Sequence, residues 1–458
     1  MPRAVIEVLA MGANAELYVV VEEAFGAPVD RVGAQLASRP SDAIFALASS
    51  TAKDRVKQAG SRLYQDLSAS TDVQKAFNMM SKTPVPGELP PEYPIFVKLA
   101  INKVERFPWE ALYGSPLNDF LTLAKACRWP IARMAAAPRP HQSIVRNLDD
   151  RFRIAVIIAA ANYDGREEWN QIATALRKLE LPVSILALVS DAALKKEMEK
   201  TTWDGNVQLK AQFTGDKDLL LKELGAFSPN IVHFFCHGTA DPDPLLLVET
   251  RNIRLGATDD VPITLSSGDL EPIVQSSWFW LAVLNCCQGS KASAQLPSLA
   301  RELVQKGAPT VIAMRESVAV ADAQLFTEEF YPALVDQLNS LFKVATLVPE
   351  EEKVPVEELV WIRPLHAARW RLATTPSTRQ PASAIEWTYP VIYVNRDELC
   401  LRRGTPVPAL ADDERRSLQD QLRIERNTRD AINRGGGGPG STTKLDEHIA
   451  ILEKRLGL

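Results

Sequence analysis

Apolar runs alternate with amphipathic segments through the middle of the chain. Arg153–Ala159 is almost continuously apolar, as expected for a strand that is buried on both faces of a sheet. Glu167–Leu179 then has apolar residues at helical spacing. Further strands are predicted at Leu181–Leu188, Asn230–Phe235, Trp280–Asn285, Thr310–Met314 and Trp387–Val394, and further helices at Asp216–Leu224 and Pro297–Lys306. This alternation predicts an α/β fold with a mainly parallel sheet that is flanked by helices.

The first third of the chain has a mixed pattern. Glu16–Glu22 and Ile95–Ile101 are strand-like, whereas Asp54–Leu67 has the apolar spacing of a helix. Pro138 and Pro140 mark a boundary near residue 150. We therefore expect residues 1–150 to form an N-terminal α/β half and residues 151–400 to form a second half.

The character of the chain changes after Arg403. By pattern, Asp412–Asn433 is a highly charged helix, Gly435–Gly440 is a flexible turn and Lys444–Leu456 is a second helix. The second helix carries an apolar stripe at Leu445, Ile449, Leu452 and Leu456. We predict that residues 401–458 form a linker followed by a helical hairpin. Two short helices alone can bury this apolar stripe only in part.

Composition narrows the class of protein. With 458 residues, of which 46% are hydrophobic and 24% charged, disorder over most of the chain is excluded. The net charge of −5 argues against a broad nucleic-acid-binding surface, although a local basic patch remains possible. The longest apolar run, Ile154–Ala161, is shorter than the roughly 20 residues that span a bilayer. Five cysteines without a framework spacing favour a reducing, cytoplasmic location.

Two polar motifs end predicted core strands. One is His233-Phe-Phe-Cys-His-Gly and the other is Leu284-Asn-Cys-Cys-Gln-Gly, so that Cys287 follows His237 by 50 residues. The glycine that ends each motif allows a sharp backbone turn that exposes an amide. Order and spacing fit the caspase signature, in which a histidine lies about 50 residues upstream of Cys, then Arg, Gln or Gly, then Gly.

These residue types have the chemistry of a thiol nucleophile with a general acid–base. A nearby imidazole assists the thiol and protonates the leaving amine. We predict His237 and Cys287 as the catalytic pair, with the backbone N–H groups of Gly238 and Cys287 at the developing oxyanion. Cys286 points to the opposite face if strand geometry persists, so only one of the two cysteines can meet the histidine. Asn285 and Cys286 depart from the Gln-Ala that precedes the cysteine in caspases.

Other interpretations of these residues remain open. The histidine and cysteines could be structural, because free cysteine is commonly buried. The pairs Cys236–His237 and Cys286–Cys287 could ligate zinc, although neither has the usual two-residue gap. Gly435–Lys444 lacks the Gly-Lys-Ser/Thr order of a phosphate-binding loop and is predicted to be a flexible turn. The prediction therefore includes neither a metal nor a cofactor.

The chain resembles the CHAT domains, a family of caspase-like cysteine peptidases that is common in bacteria. The resemblance covers roughly Met1–Leu401. Its segments, in family order, are Phe107-Pro-Trp-Glu-Ala-Leu, Ile231-Val-His-Phe-Phe-Cys-His-Gly, Leu284-Asn-Cys-Cys-Gln-Gly, Leu299-Ala-Arg-Glu-Leu-Val, Gly307-Ala-Pro-Thr-Val-Ile-Ala-Met-Arg and Ala323-Gln-Leu-Phe-Thr-Glu-Glu-Phe-Tyr. The family usually has Ala at the position of Cys286 and commonly Glu at that of Gln288, and both departures leave the nucleophile intact. The resemblance implies His237 as the catalytic histidine, Cys287 as the nucleophile and the first third as a pseudo-symmetric half.

Candidate substrate-binding residues follow from the same resemblance. In caspase-like enzymes, the loop after the first core strand often helps to bind the side chain that precedes the scissile bond. Here Asp164 would favour a basic substrate side chain and Arg166 an acidic one. The alternative for each residue is that it only forms part of a solvent-exposed turn. Asp241, just after the histidine motif, and Arg315, after the fifth strand, are further candidates.

The leading hypothesis is a cysteine endopeptidase that cleaves a protein substrate. The resemblance implies a regulated effector in a bacterial defence or cell-death system. The C-terminal hairpin is predicted to dock a regulatory or sensor protein, and neither nucleic acid nor a membrane is an expected direct partner. The alternative is a catalytically silent caspase-like scaffold that serves as an interaction module.

Overall fold

The protein is represented by a computed structural model. It describes residues 3–11, 16–24, 34–35, 54–80, 94–99, 107–114, 118–124, 129–135, 144–149, 151–159, 165–203, 207–213, 216–239, 245–250, 261–286, 296–316, 318–345, 353–356, 361–395, 399–403, 412–434, 442, 445–446, 448–449 and 452.

The N-terminal half combines strands with two amphipathic helices. Its strands are β1 (Ala4–Met11), β2 (Glu16–Ala24), β3 (Ala34–Gln35), β4 (Ile95–Leu99), β5 (Tyr113–Gly114), β6 (Asp119–Phe120), β7 (Ile131–Met134) and β8 (Ile144–Leu148). Its helices are α1 (Arg55–Ser68) and α2 (Thr71–Met80). The predicted strands at Glu16–Glu22 and Ile95–Ile101 and the predicted helix at Asp54–Leu67 are therefore confirmed to within a few residues.

The second half alternates strands and helices. Its strands are β9 (Phe152–Ala159), β10 (Val183–Val189), β11 (Val207–Phe213), β12 (Ile231–Thr239), β13 (Leu245–Thr250), β14 (Val261–Leu265), β15 (Leu281–Leu284), β16 (Thr310–Met314), β17 (Lys353–Val356), β18 (Pro390–Val394) and β19 (Leu399–Arg403). Its helices are α3 (Arg166–Leu176), α4 (Ala192–Lys200), α5 (Lys217–Phe227), α6 (Ser267–Val274), α7 (Leu296–Gln305), α8 (Val320–Ala345) and α9 (Ile362–Thr374), and α10 (Asp412–Arg434) follows.

One large sheet runs through both halves of the chain. Its strands lie in the order β11-β10-β9-β12-β15-β16-β18-β7-β4-β1-β2-β3. The first six strands in that order are mutually parallel, whereas β18 is antiparallel to β16 and parallel to β7. The mainly parallel α/β sheet predicted from the sequence is thus confirmed. The sequence pattern did not predict that the N-terminal half continues this sheet.

Helices cover the sheet on both faces. In β9, Ile154 and Val156 belong to one hydrophobic cluster, while Ala155 and Ile157 belong to another. Helices α3, α8 and α9 contribute to the first cluster, and α5, α6 and α7 to the second. Because water reaches neither face, the central strands are apolar at nearly every position instead of at alternate positions.

Strand β8 pairs outside the large sheet. It lies parallel to β19, and β17 pairs antiparallel with the other side of β19. This small sheet joins residues on both sides of the predicted domain limits, since β8 precedes residue 150 and β19 spans residue 400.

The tail forms a hydrophobic cluster of its own. Leu418 and Leu422 of α10 pack with Ile449 and Leu452, and Leu445 lies against them. Of the predicted stripe, Ile449 and Leu452 are buried with α10, whereas Leu445 is only partly buried. Leu456 lies outside the described residues. Among the helices that the structure describes, none combines the length and apolar character needed to cross a membrane.

A fully buried ion pair stands where the two halves join. Arg133 of β7 binds Glu110 with Nε to Oε1 at 2.9 Å and Nη2 to Oε2 at 2.8 Å, and both side chains have no exposed area. Arg133 also lies opposite Tyr393 of β18 in the register of the sheet. Burial alone would raise the pKa of Glu110, but the charge and hydrogen bonds of Arg133 hold that pKa below its ordinary value.

We predict that Arg133→Met strongly destabilises the protein. The substitution leaves the Glu110 carboxylate buried without its counterion, which costs about 3–5 kcal/mol of unfolding free energy. Arg166→Met is the matched control, because Arg166 pairs with Glu197 on the surface and such pairs contribute about 0.2–1 kcal/mol. Urea denaturation followed by tryptophan fluorescence measures both values. Equal losses for the two variants contradict the prediction.

Candidate active site

Two neighbouring strands set the frame of the site. Strands β12 and β15 are parallel, with Ile231 opposite Leu281 and Phe234 opposite Leu284. The backbone N–H of Asn285 then donates to the Phe234 carbonyl oxygen at 2.9 Å. Because parallel strands end at the same edge of a sheet, the last parallel residues of β12 and β15 lie side by side.

A pair of buried cysteines shows that this register persists to the strand ends. Cys236 Sγ and Cys286 Sγ lie 3.7 Å apart, and the two residues are 50 positions apart in the chain. Both belong to the hydrophobic cluster that also contains Phe234 and Leu284. Successive strand residues alternate between faces, so His237 lies on the opposite face from this pair. Cys286 thus packs in the hydrophobic cluster on the face opposite His237.

His237 stands where β12 leaves the parallel sheet. The last parallel pairing of β12 with β9 is Cys236 opposite Ala159. From His237 to Thr239 the strand pairs instead with β13 in an antiparallel ladder. His237 is 4% exposed. The strand continues through Gly238, where the sequence suggested a sharp turn, because the antiparallel hairpin extends it.

Several predicted site residues lie outside the described part of the chain. These are Cys287, Asp164 and Asp241, together with Gln288 and Gly289 of the cysteine motif. Cys287 follows Cys286 directly in the sequence. Among the described residues, no group of three or more His, Cys, Asp or Glu side chains is arranged as a metal site.

The two described substrate-binding candidates differ in exposure. Arg166 is the first residue of α3, and its side chain is 42% exposed beside Glu197. Arg315 is buried at the end of β16, where Nη1 lies 3.0 Å from Glu316 Oε1 and Nη2 lies 3.0 Å from Thr388 Oγ1. Burial lowers the pKa of Arg315, and the charge of Glu316 opposes this shift. Arg166 thus presents its charge to solvent, whereas Arg315 is held inside the protein.

Sequence reasoning missed a buried polar cluster behind the strand ends. Glu168 of α3, His233 of β12, Asn285 after β15 and Thr327 of α8 have no exposed area, and we call them the Glu168 cluster. Glu168 Oε1 lies 2.9 Å from His233 Nε2, 2.6 Å from Thr327 Oγ1 and 3.0 Å from Asn285 Nδ2. A histidine inside an apolar strand was the available signal, but partners as distant in the sequence as Glu168 and Thr327 are not visible from spacing.

An aromatic side chain borders the Glu168 cluster. The Tyr331 ring of α8 meets the His233 ring edge-on, with centroids 5.5 Å apart. Burial raises the pKa of Tyr331 well above its ordinary value, and the negative charge of Glu168 raises it further. The phenol of Tyr331 therefore stays neutral.

We predict that Cys236 and Cys286 resist alkylation in the folded protein. They are 0% and 1% exposed, and a thiol reacts only when it is both ionised and accessible. Iodoacetamide should modify them at least about 100-fold more slowly in the native protein than in urea, since access then requires rare opening of the core. Mass spectrometry of proteolytic peptides measures each site separately. Equal rates in the two conditions contradict the buried placement.

Comparisons with known proteins identify the family that this sequence matches. The family model described as the CHAT domain matches residues 57–341, which is more than half of the chain. Nothing matches among the curated proteins.

Solved structures show a distant similarity. In two structures of the Saccharomyces cerevisiae separase–securin complex, the matched chains are 13% and 11% identical to this one, with TM-scores of 0.33 and 0.40. The matches cover 75% and 88% of this chain but only 18% and 30% of those chains. Gingipain R, an Arg-specific cysteine proteinase, is 9% identical with a TM-score of 0.38, and the match covers 75% of this chain and 73% of that one.

Proposed function

This chain belongs to the CHAT domain family, and from that premise we propose that it is a cysteine endopeptidase that uses His237 and Cys287 to cleave a protein substrate. The observation that carries the proposal is the register of β12 and β15. The contact of Cys236 with Cys286 extends that register to the residues immediately before the proposed dyad. The next residue of each segment is the proposed dyad member, and strand alternation supports the proposal because it predicts that both face away from the cysteine pair.

The proposed chemistry needs no group beyond the chain itself. His237 takes the proton of the Cys287 thiol, and the thiolate attacks the carbonyl carbon of the scissile peptide bond. Backbone N–H groups of Gly238 and Cys287 stabilise the oxyanion that forms. The imidazolium then protonates the leaving amine, and a thioester remains on Cys287. Water, deprotonated by His237, hydrolyses the thioester and regenerates the thiol.

Substrate selection is proposed to involve charged residues at the rim of the site. Arg166 supports this role because its guanidinium is partly exposed at the start of α3. Asp164 and Asp241 keep their proposed roles, with Asp164 favouring a basic substrate side chain. Arg315 is engaged by Thr388 and Glu316, so we propose that it supports the wall of the pocket.

We expect Cys287→Ala to abolish cleavage and Cys286→Ala to preserve it. Only Cys287 supplies the nucleophile, whereas Cys286 faces the hydrophobic cluster. His237→Ala should lower the rate by at least about 10²–10⁴-fold, because it removes the general acid–base. Cleavage of a proteome-derived peptide library, detected by mass spectrometry, measures all three variants, and thermal unfolding confirms that each is folded.

The same set of variants separates the peptidase from the scaffold alternative. Loss of cleavage in Cys286→Ala with retention in Cys287→Ala would show that the motif register is displaced by one residue. An electrophilic cysteine probe supplies a second measurement. If no peptide is cleaved and the probe labels wild type and Cys287→Ala alike, the chain acts as an interaction module and the peptidase proposal fails.

We also propose that the C-terminal hairpin docks a regulatory or sensor protein. Its support is the separate hydrophobic cluster of Leu418, Leu422, Ile449 and Leu452, which makes the hairpin an independent packing unit. A regulated peptidase would suit a bacterial defence or cell-death system, a role that rests on the family resemblance.

Truncation after Arg403 should leave the chemistry intact and remove the response to the partner. This end point retains all of β19, which pairs with β8 and β17. Peptide cleavage by the activated, truncated enzyme should equal that of the full chain, while its partner-dependent activation in cells should be lost. Unfolding of the truncated protein, or loss of all its peptidase activity, would instead assign the tail to the catalytic core.

A further inference from the structure

The Glu168 cluster includes residues of both segments that lead to the proposed dyad. His233 precedes His237 by four positions on β12, and residues an even number apart share one face of a strand. Asn285 precedes Cys287 by two positions. The cluster therefore holds each of the two strands within one or two side chains of its proposed catalytic residue.

The contacts within the cluster tie both strands to both neighbouring helices. Asn285 Nδ2 lies 3.0 Å from the Ala323 carbonyl oxygen and from Thr327 Oγ1 of α8, as well as from Glu168 Oε1 of α3. Its backbone N–H is already bound to Phe234 of β12. Asn285 thus holds the end of β15 in place through both its main chain and its side chain.

We propose that Glu168, His233, Asn285 and Thr327 are positioning residues for the His237–Cys287 dyad. This inference rests on the proposed function. The four side chains are completely buried, so they act through the strand ends and touch no substrate. Glu168 is the centre, because a single carboxylate oxygen joins α3, β12, the end of β15 and α8.

Stability alone does not account for a polar cluster at this place. Desolvation offsets most of what buried hydrogen bonds and ion pairs contribute, and apolar side chains of similar volume often serve as well. Hydrogen bonds are directional, so a buried network of them also holds the groups that it joins in one arrangement. Such definition matters for a nucleophile and its base, since a misplacement of about 1 Å can lower a rate by about 10²-fold.

Two buried threonines provide a matched test. Thr327 donates its hydroxyl to Glu168 Oε1 at 2.6 Å, and Thr122 donates its hydroxyl to the Glu110 carbonyl oxygen at 2.6 Å. Both side chains have no exposed area. Thr327→Val and Thr122→Val each remove one buried hydroxyl donor at nearly constant volume. Thr327 also accepts from Asn285 Nδ2, so thermal unfolding of both variants is measured first and the alkylation rates are compared at a temperature at which both are folded.

The measurement is the rate at which iodoacetamide modifies Cys287 in the full-length protein at neutral pH. Thr327→Val should lower this rate by about ten-fold or more through misplacement of the dyad, whereas Thr122→Val should leave it at the wild-type value. Thr327→Ser keeps the hydroxyl and should restore the rate. Where a library peptide is cleaved, kcat should fall in Thr327→Val while KM stays constant.

A second test variant covers the case in which Thr327→Val does not fold. Glu168→Gln replaces a completely buried carboxyl group by an amide of similar size, and Thr122→Val is again its control. Only Glu168→Gln should slow the alkylation of Cys287. The inference is overturned if each test variant has the same alkylation rate as its control, or if Thr327→Ser fails to restore the rate.

His237→Ala distinguishes failure of this inference from failure of the proposed function. If His237→Ala slows the alkylation of Cys287 but Thr327→Val does not, the dyad exists and the positioning role is wrong. If His237→Ala leaves the rate unchanged, histidine does not activate the thiol, and the proposed function itself fails.

Discussion

The parallel pairing of β12 with β15 is the constraint on which the rest of the site depends. A shift of one residue in this register moves every side chain of a strand to the opposite face of the sheet. Such a shift would place Cys286 on the face of His237 and send its neighbour into the hydrophobic cluster. The packing of Cys236 on Cys286, together with Phe234 and Leu284, fixes the register that is observed. Ordinary apolar packing on one face thus keeps the Cys286 thiol away from the face of His237.

Because the sheet is buried on both faces, its few polar side chains strongly constrain how the surrounding elements pack. The central strands are apolar at nearly every position, so a histidine or an asparagine among them must find its partners inside the protein. Glu168 supplies those partners where β12 and β15 end, and Glu110 with Arg133 does so where the halves join. The two glutamates are equally buried but differ in what they connect. Arg133 links neighbouring strands of the sheet, whereas the Glu168 cluster links strand ends to helices.

The sequence predicted features that arise from local periodicity and from motif order. Continuous apolar runs identified β9, β10, β12, β15 and β16 because a strand buried on both faces leaves that pattern. The sequence pattern did not predict β11. This edge strand has only half-buried and exposed positions, so its sequence lacks a continuous apolar run. Strand direction was also hidden: β18 has an apolar pattern like that of its neighbours but runs antiparallel. The Glu168 cluster depends on contacts across as many as 159 residues, and no local pattern records those.

The packing of α10 with Ile449 and Leu452 limits how the tail could bind the partner that we propose. An apolar stripe read from one helix suggests docking through hydrophobic contact, but α10 already covers Ile449 and Leu452. Among the described residues of the hairpin, the large hydrophobic side chain that remains exposed is Ile424, at 60%. Around it the surface of α10 is dominated by charged side chains, including the Arg423–Asp420 ion pair. Recognition through exposed charges falls steeply with ionic strength, so a partner held by this surface would dissociate as salt is raised, whereas one held through Leu418 and Leu422 would first have to open the hairpin.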